Sequence, residues 1–328
     1  MKRKQIDVQV LGPWSLATSR AFWEGFTPAA LSAHDQAQRL DTVFRVEADW
    51  SRAEASVTQH DGAARITVTG DGDLEAAAAQ VRRFLALDVD ARAWPGVADR
   101  DPVLADAQAR LPGLRPCGFH SPYEAATRAV LSQRVRIVQA ARLRQDLTAR
   151  YGDTGAFPAP QALRTLELDL PGRKSEYLHA VADAALEGRL DGAALRSADL
   201  DQAIATVQEV KGLGPFAAEL VVIRGADTPD ALPRHERRLD AEISERYGAD
   251  RLLTNIVHLW RPFRTWAVVH LRALREQRTH QISGRRRQPD APFVREVADG
   301  LWDNDGATGC GGKCPCRDGD RGWLVDWR

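Results

Sequence analysis

The chain has 328 residues, room for about two ordinary domains, which excludes a mini-protein held by disulfides or metal alone. Hydrophobic residues make up 44% and charged residues 27%, and no apolar run reaches the roughly 18 residues of a membrane span. Forty-five acids balance 45 bases, which excludes a uniformly basic nucleic-acid binder and confines any polyanion site to a local patch. The basic start Met1-Lys2-Arg3-Lys4 runs into Gln5 and Asp7, not into a greasy stretch, so a cytoplasmic protein with no membrane partner is expected.

From Gln5 to about Thr69 short alternating runs predict a small antiparallel sheet: Val8 and Val10, then Val43, Phe44 and Val46, then Val57 and Ile66 either side of the hairpin turn Asp61-Gly62. Residues 73–87 place Leu74, Ala77, Ala78, Val81, Phe84 and Leu85 on one helical face. Trp94-Pro95-Gly96 reads as the start of a linker. Ser121-Pro122-Tyr123-Glu124 is a capping box with Pro at the first helical position. After it strand signals stop, and helices are predicted around 137–150, 160–168, 174–187, 199–210, 215–224, 236–247, 250–259 and 262–276. The fold class is therefore α+β: an N-terminal α+β domain over 1–110, an all-helical domain over 111–277, and an Arg-rich linker with a Cys-containing tail over 278–328.

The most informative segment joins a helix ending at Val210 to one starting at Pro215 through Lys211-Gly212-Leu213-Gly214. Two glycines let a backbone approach closely, and the unpaired N–H groups and positive dipole end of the new helix suit a phosphate oxygen. Lys211 adds a cation. An ordinary tight turn between helices has the same appearance, so the continuation decides. It reads Phe216-Ala217-Ala218-Glu219, Ile223-Arg224-Gly225, then Leu232-Pro233-Arg234-His235-Glu236-Arg237-Arg238-Leu239. That run resembles the hairpin and catalytic loop of the helix-hairpin-helix DNA glycosylases, in particular the 3-methyladenine DNA glycosylase II branch. Leu111-Pro112-Gly113-Leu114-Arg115, Leu131-Ser132-Gln133-Arg134 and Trp260-Arg261-Pro262-Phe263-Arg264 agree in order and spacing, so the resemblance covers about residues 5–277.

The resemblance implies a monomeric enzyme that flips a damaged base out of duplex DNA and hydrolyses its N-glycosidic bond with one carboxylate and no required cofactor. A fixed negative charge beside a developing sugar cation stabilises the transition state more than the ground state. Glu236 falls where the family carries Asp, a departure worth about 1.5 Å of extra reach. It also reads as a first-turn acid complementing a helix dipole; Asp240, one turn on, is the fallback. His235 reads as a solvated loop residue. Strand-cutting branches carry a Lys at the position of Phe216, so a monofunctional enzyme without lyase activity is implied. Phe216 corresponds to an aromatic pocket position or is simply core. Two further pocket positions hold Leu220 and Arg272, and an inward Arg272 would repel a cationic base. Arg134, beside Gln133, falls at the wedge that fills the gap left by the flipped base; a solvated helix end is the alternative. Gln133, Arg134, Lys211, Gly212, Leu213, Gly214 and Ala217 make up the implied DNA contacts.

Cys310, Cys314 and Cys316 offer three ligands without the longer spacing of the iron–sulfur members. A loose thiol-bearing tail is expected rather than a zinc site completed by Cys117 or His280. Besides the enzyme, two readings stay open: a lesion-binding module of the same fold with weakened chemistry, and an unrelated bundle whose hairpin meets proteins.

Overall fold

The computed structural model describes residues 1–26, 39–248 and 253–279. Strand β1 (Lys2–Gln9) is followed by helix α1 (Leu16–Phe26) and by β2 (Arg39–Arg45), β3 (Arg52–His60) and β4 (Ala63–Gly70). They form one antiparallel sheet in the order β1-β4-β3-β2. Asp61 and Gly62 both take positive φ (45° and 78°), the twist a two-residue hairpin requires, and set the register that pairs His60 with Ala63. Alternation then buries Ala53, Ala55 and Val57 of β3 and Ala64, Ile66 and Val68 of β4 on one face. Helix α2 (Leu74–Phe84), capped by Asp73 on the amides of Glu75 and Ala76, lays Ala77, Ala78, Val81 and Phe84 into the same core.

Trp94-Pro95-Gly96 is not a linker. It opens a helical turn, α3 (Pro95–Ala98), followed by α4 (Pro102–Arg110). Trp94 is buried against Phe263, Trp266 and His270 at ring distances of 5.6, 5.7 and 4.9 Å. The Pro-Gly pair that suggested a break supplies the helix start instead.

The remaining helices are α5 (Pro122–Ser132), α6 (Ile137–Tyr151), α7 (Pro160–Leu163), α8 (Lys174–Leu186), α9 (Gly192–Ser197), α10 (Leu200–Gln208), α11 (Pro215–Leu220), α12 (Arg237–Tyr247) and α13 (Arg264–Thr279). Ser121 caps α5 as expected, but Glu124 does not close the box on Ser121; it accepts from His120 and from Arg144. The helix expected over 160–168 is a single turn. The one expected over 215–224 widens at Val221–Gly225, where Ala226 donates to Val221 O, and Gly225 there lets α5 approach so closely that a Cβ would lie 2.9 Å from Pro122 Cα. In place of a helix over 250–259 stand two short tight turns, Leu253–Asn255 and Val257–Trp260. The Arg-rich linker and the tail with Cys310, Cys314 and Cys316 lie outside the described residues.

Two cores result, and their packing does not follow the 110/111 boundary. One joins the sheet, α1, α2 and α4 to Leu239, Ile243 and the α13 residues Trp266, Leu271 and Leu274; the other is built within residues 123–226. Asp101 ties the first together: buried at the start of α4, it accepts from the amides of Val103 and Leu104, from Tyr247 Oη and from Trp260 Nε1 (both 2.7 Å). Among the described residues no helix is long and apolar enough to cross a membrane.

His270, wholly inside this core, donates from Nδ1 to Trp266 O at 2.8 Å. Burial pushes its pKa down to about 4, against the raising effect of that carbonyl. The unfolded chain takes up the proton near pH 6.5, so between 6.5 and 4 the unfolded state binds more protons than the folded one. The stability involved is intact above pH 6.5 and falls by about 3 kcal/mol as pH drops toward 4. Urea titrations across that range are expected to show this slope in the wild type and to lose it in His270→Asn.

Candidate active site

The hairpin turn carries its own reasons for being glycine. Gly212 has φ +93°, and a Cβ there would lie 2.7 Å from Tyr177 Cβ. Gly214 begins α11, and a Cβ on it would meet nothing within 4 Å, so the outer face of the turn is open. The amides of Gly214 and Ala217 find no acceptor among the described residues. Gly212→Ala is expected to cost about 2–3 kcal/mol in unfolding free energy, from the left-handed backbone plus the ring collision, and to weaken duplex binding with it.

Two side chains fasten this turn from behind. Gln133 Nε2 donates to Gly212 O at 2.7 Å, and Lys174, buried at the start of α8, donates Nζ to Val130 O and Gln133 O (3.1 and 2.5 Å). Gln133 therefore holds the hairpin to the end of α5. Lys211 is exposed and ion-paired with Glu176, which also binds Arg173. Leu213 and Ala217 are buried in the second core, leaving only their main-chain groups to face a ligand. Arg134 follows the last turn of α5 with φ +55°, exposed and without a hydrogen bond or ion pair among the described residues.

The loop after Pro233 is tied at both ends. Upstream, Arg264 Nε donates to Asp230 Oδ1 (2.8 Å) and Thr265 Oγ1 receives the Ala231 amide, pinning the loop to the start of α13. Downstream, Glu219 of α11, only 3% exposed, accepts the amides of Arg234 (3.0 and 3.1 Å) and His235 (3.1 Å) and His235 Nδ1 (2.8 Å). Glu236 then opens α12 without capping it through its side chain. Its Oε1 lies 2.5 Å from Arg272 Nε of α13, the two side chains 24% and 11% exposed. Asp240 is exposed on α12 and has no ion pair among the described residues.

No family model matches the chain. It is 30% identical over 213 residues to a Mycobacterium tuberculosis protein described as a probable bifunctional transcriptional activator/DNA repair enzyme AlkA, covering 61% of this chain and 42% of that one. It is 30% identical over 176 residues to DNA-3-methyladenine glycosylase 2 of Escherichia coli, covering 49% of this chain and 60% of that one. The chain thus spans about half the length of the curated relatives it matches. In fold it is similar to the 3-methyladenine DNA glycosylase of Archaeoglobus fulgidus, with TM-score 0.65 at 18% identity over 85% of this chain and 99% of that one. In sequence and in fold the chain is thus similar to the helix-hairpin-helix DNA glycosylases.

The positions that the resemblance assigns to the base pocket are distributed unevenly. Phe216 is half-buried on the first turn of α11, and Leu220, one turn later, packs against the second core. Arg272 turns to Glu236, making a pair with no net charge. A separate small pocket of about 10 Å³ is lined by Trp23, Phe119, His120, Glu124, Arg128 and Arg144. His120 stacks on Phe84 at 4.3 Å. Burial would raise the pKa of Glu124, but the charges of His120 and Arg144 outweigh it and hold it at about 2.

Glu219 went unweighed in the sequence although it carried a signal: it is the one acid in Ala217-Ala218-Glu219-Leu220-Val221-Val222, so it must either face outward or be paired inside. Cys117, the candidate fourth zinc ligand, is buried, its thiol donating to Ser19 O at 3.4 Å, and burial pushes its pKa up. Among the described residues no three His, Cys, Asp or Glu side chains group as a metal site.

Proposed function

We propose that the chain is a monofunctional DNA glycosylase of base excision repair, which flips an alkylated or related damaged base from duplex DNA and hydrolyses its N-glycosidic bond. The observation that carries this reading is Glu219, which bolts the loop bearing Glu236 to the helix whose first amides form the hairpin. Phosphate grip and carboxylate are thereby parts of one rigid unit. Arg134, exposed past the end of α5, is the wedge; Glu236 is the fixed charge beside the sugar cation; water is the only co-substrate. Phe216 has no amine for a Schiff base, which supports base release without strand cleavage. The relatives named for 3-methyladenine repair support the alkylbase assignment.

The ion pair between Glu236 and Arg272 favours a second reading, a lesion-binding module with weakened chemistry, because a neutralised carboxylate stabilises a cation less. A release assay separates the two. Duplexes carrying methylated purines or hypoxanthine are expected to lose the damaged base while the backbone stays uncut until alkali is added. Duplex binding without base release would establish the module instead.

A further inference from the structure

We propose that His235 is the base that takes the proton of the attacking water, oriented by the buried carboxylate of Glu219, while Glu236 serves as fixed charge. The inference rests on the glycosylase reading. Its foundation is the hydrogen bonding of one carboxylate. Glu219 receives the main-chain amides of Arg234 and His235 on its two oxygens, so it acts as an acceptor throughout. The remaining contact, Oε1 to His235 Nδ1 at 2.8 Å, then has Nδ1 as the donor. That fixes the tautomer: in the neutral ring the lone pair sits on Nε2. The His235 side chain is 51% exposed while Glu219 is 4% exposed, and Nε2 has no hydrogen-bond partner among the described residues. A histidine that looked like a solvated loop residue is thus one half of a carboxylate–imidazole pair, next in sequence to Glu236.

Glu236 is less suited to the proton-accepting role. Its Oε1 lies 2.5 Å from Arg272 Nε in an ion pair, so the approach to that oxygen is already occupied by a guanidinium. The charged groups around His235 are Glu219 on α11, Asp201 on α10 through Arg234 (3.0 Å), and Glu236 with Arg272 on α13. In the step itself the water oxygen bonds C1′ as its proton passes to His235 Nε2. The C1′–N bond breaks and its electron pair leaves with the base. The imidazolium returns its proton to the departing base or to solvent, so the products are the free base and an abasic sugar hydroxyl.

The test uses the full chain and a duplex with one hypoxanthine, followed under single turnover across pH, with binding to an abasic-site duplex measured alongside. His235→Gln keeps the main-chain bonds to Glu219. It is expected to slow release at least about 10²-fold, to abolish the fall in rate on acidification, and to leave abasic-duplex binding within about threefold. Glu236→Gln is slowed too but keeps the acidic fall. Added imidazole restores release to His235→Ala, which a purely structural histidine would not allow. Wild-type rate and pH profile in His235→Gln, with wild type active, overturn the base assignment and leave the glycosylase reading standing. A wild type that binds duplexes but releases no base from hypoxanthine or methylated substrates overturns both.

Discussion

Glu236→Gln is expected to lower single-turnover base release by about 10²- to 10³-fold while duplex affinity stays within a fewfold of wild type. Removing one preorganised charge-stabilising group at a reacting centre typically costs that much, about 3–4 kcal/mol of barrier. Here two effects act in the same direction. Gln removes the negative charge proposed to face the sugar cation, and it leaves Arg272, 2.5 Å away and largely buried, as an uncompensated positive charge at the same spot. Gln keeps the size of the side chain, and the loop, held independently by Glu219, keeps its place. Release from a hypoxanthine duplex, with abasic-duplex binding as the control, checks the prediction. Equal release in mutant and wild type would remove Glu236 from the mechanism.

What the sequence disclosed and what it hid follow from the range of the interactions concerned. The hairpin Asp61-Gly62 and the turn Lys211-Gly212-Leu213-Gly214 were legible because a left-handed backbone and a helix start are written in consecutive residues. The α1 helix also had a local mark that went unread: Ser15 Oγ accepts the Thr18 amide, and Leu16, Ser19 and Phe22 recur at three-residue spacing on its buried side. Trp94 was misread because its burial depends on Phe263 and Trp266, over 160 positions away, while the adjacent Pro-Gly speaks only for the local chain. The candidate site divides the same way. Glu236 and Arg272 were each singled out, yet their pairing was not, since it needs α12 and α13 side by side; with it, the expected repulsion of a cationic base gives way to a neutral pair. His235 changed meaning for the same reason, its partner being 16 residues upstream on α11.

Arg115→Met is expected to destabilise the protein by about 3–5 kcal/mol. The side chain is fully buried and has no ion pair with a carboxylate among the described residues. It donates to four main-chain carbonyls: Nε to Pro13 O (3.1 Å), Nη1 to Ala86 O (2.7 Å) and Val89 O (3.0 Å), and Nη2 to Leu11 O (2.6 Å), with its plane over Trp266 at 5.4 Å. One side chain thus joins the chain after β1 to the chain after α2 and to α13. Burial pushes its pKa down to about 10, opposed by Asp88 and Asp90, so it stays charged at neutral pH. That desolvation costs roughly 3 kcal/mol. Four charge-assisted hydrogen bonds at about 1.5–3 kcal/mol each outweigh it. Met fills a similar volume but takes the donor from the carbonyls of Pro13, Ala86 and Val89, of which that of Ala86 is buried. Since a domain's whole margin is about 5–15 kcal/mol, the loss should appear as a large drop in urea midpoint with an unchanged slope. Arg115→Lys should recover only part of it, because an ammonium cannot span four acceptors that the planar fork reaches together. A midpoint unchanged in Arg115→Met would mean that packing on Trp266, not the carbonyl network, holds this corner.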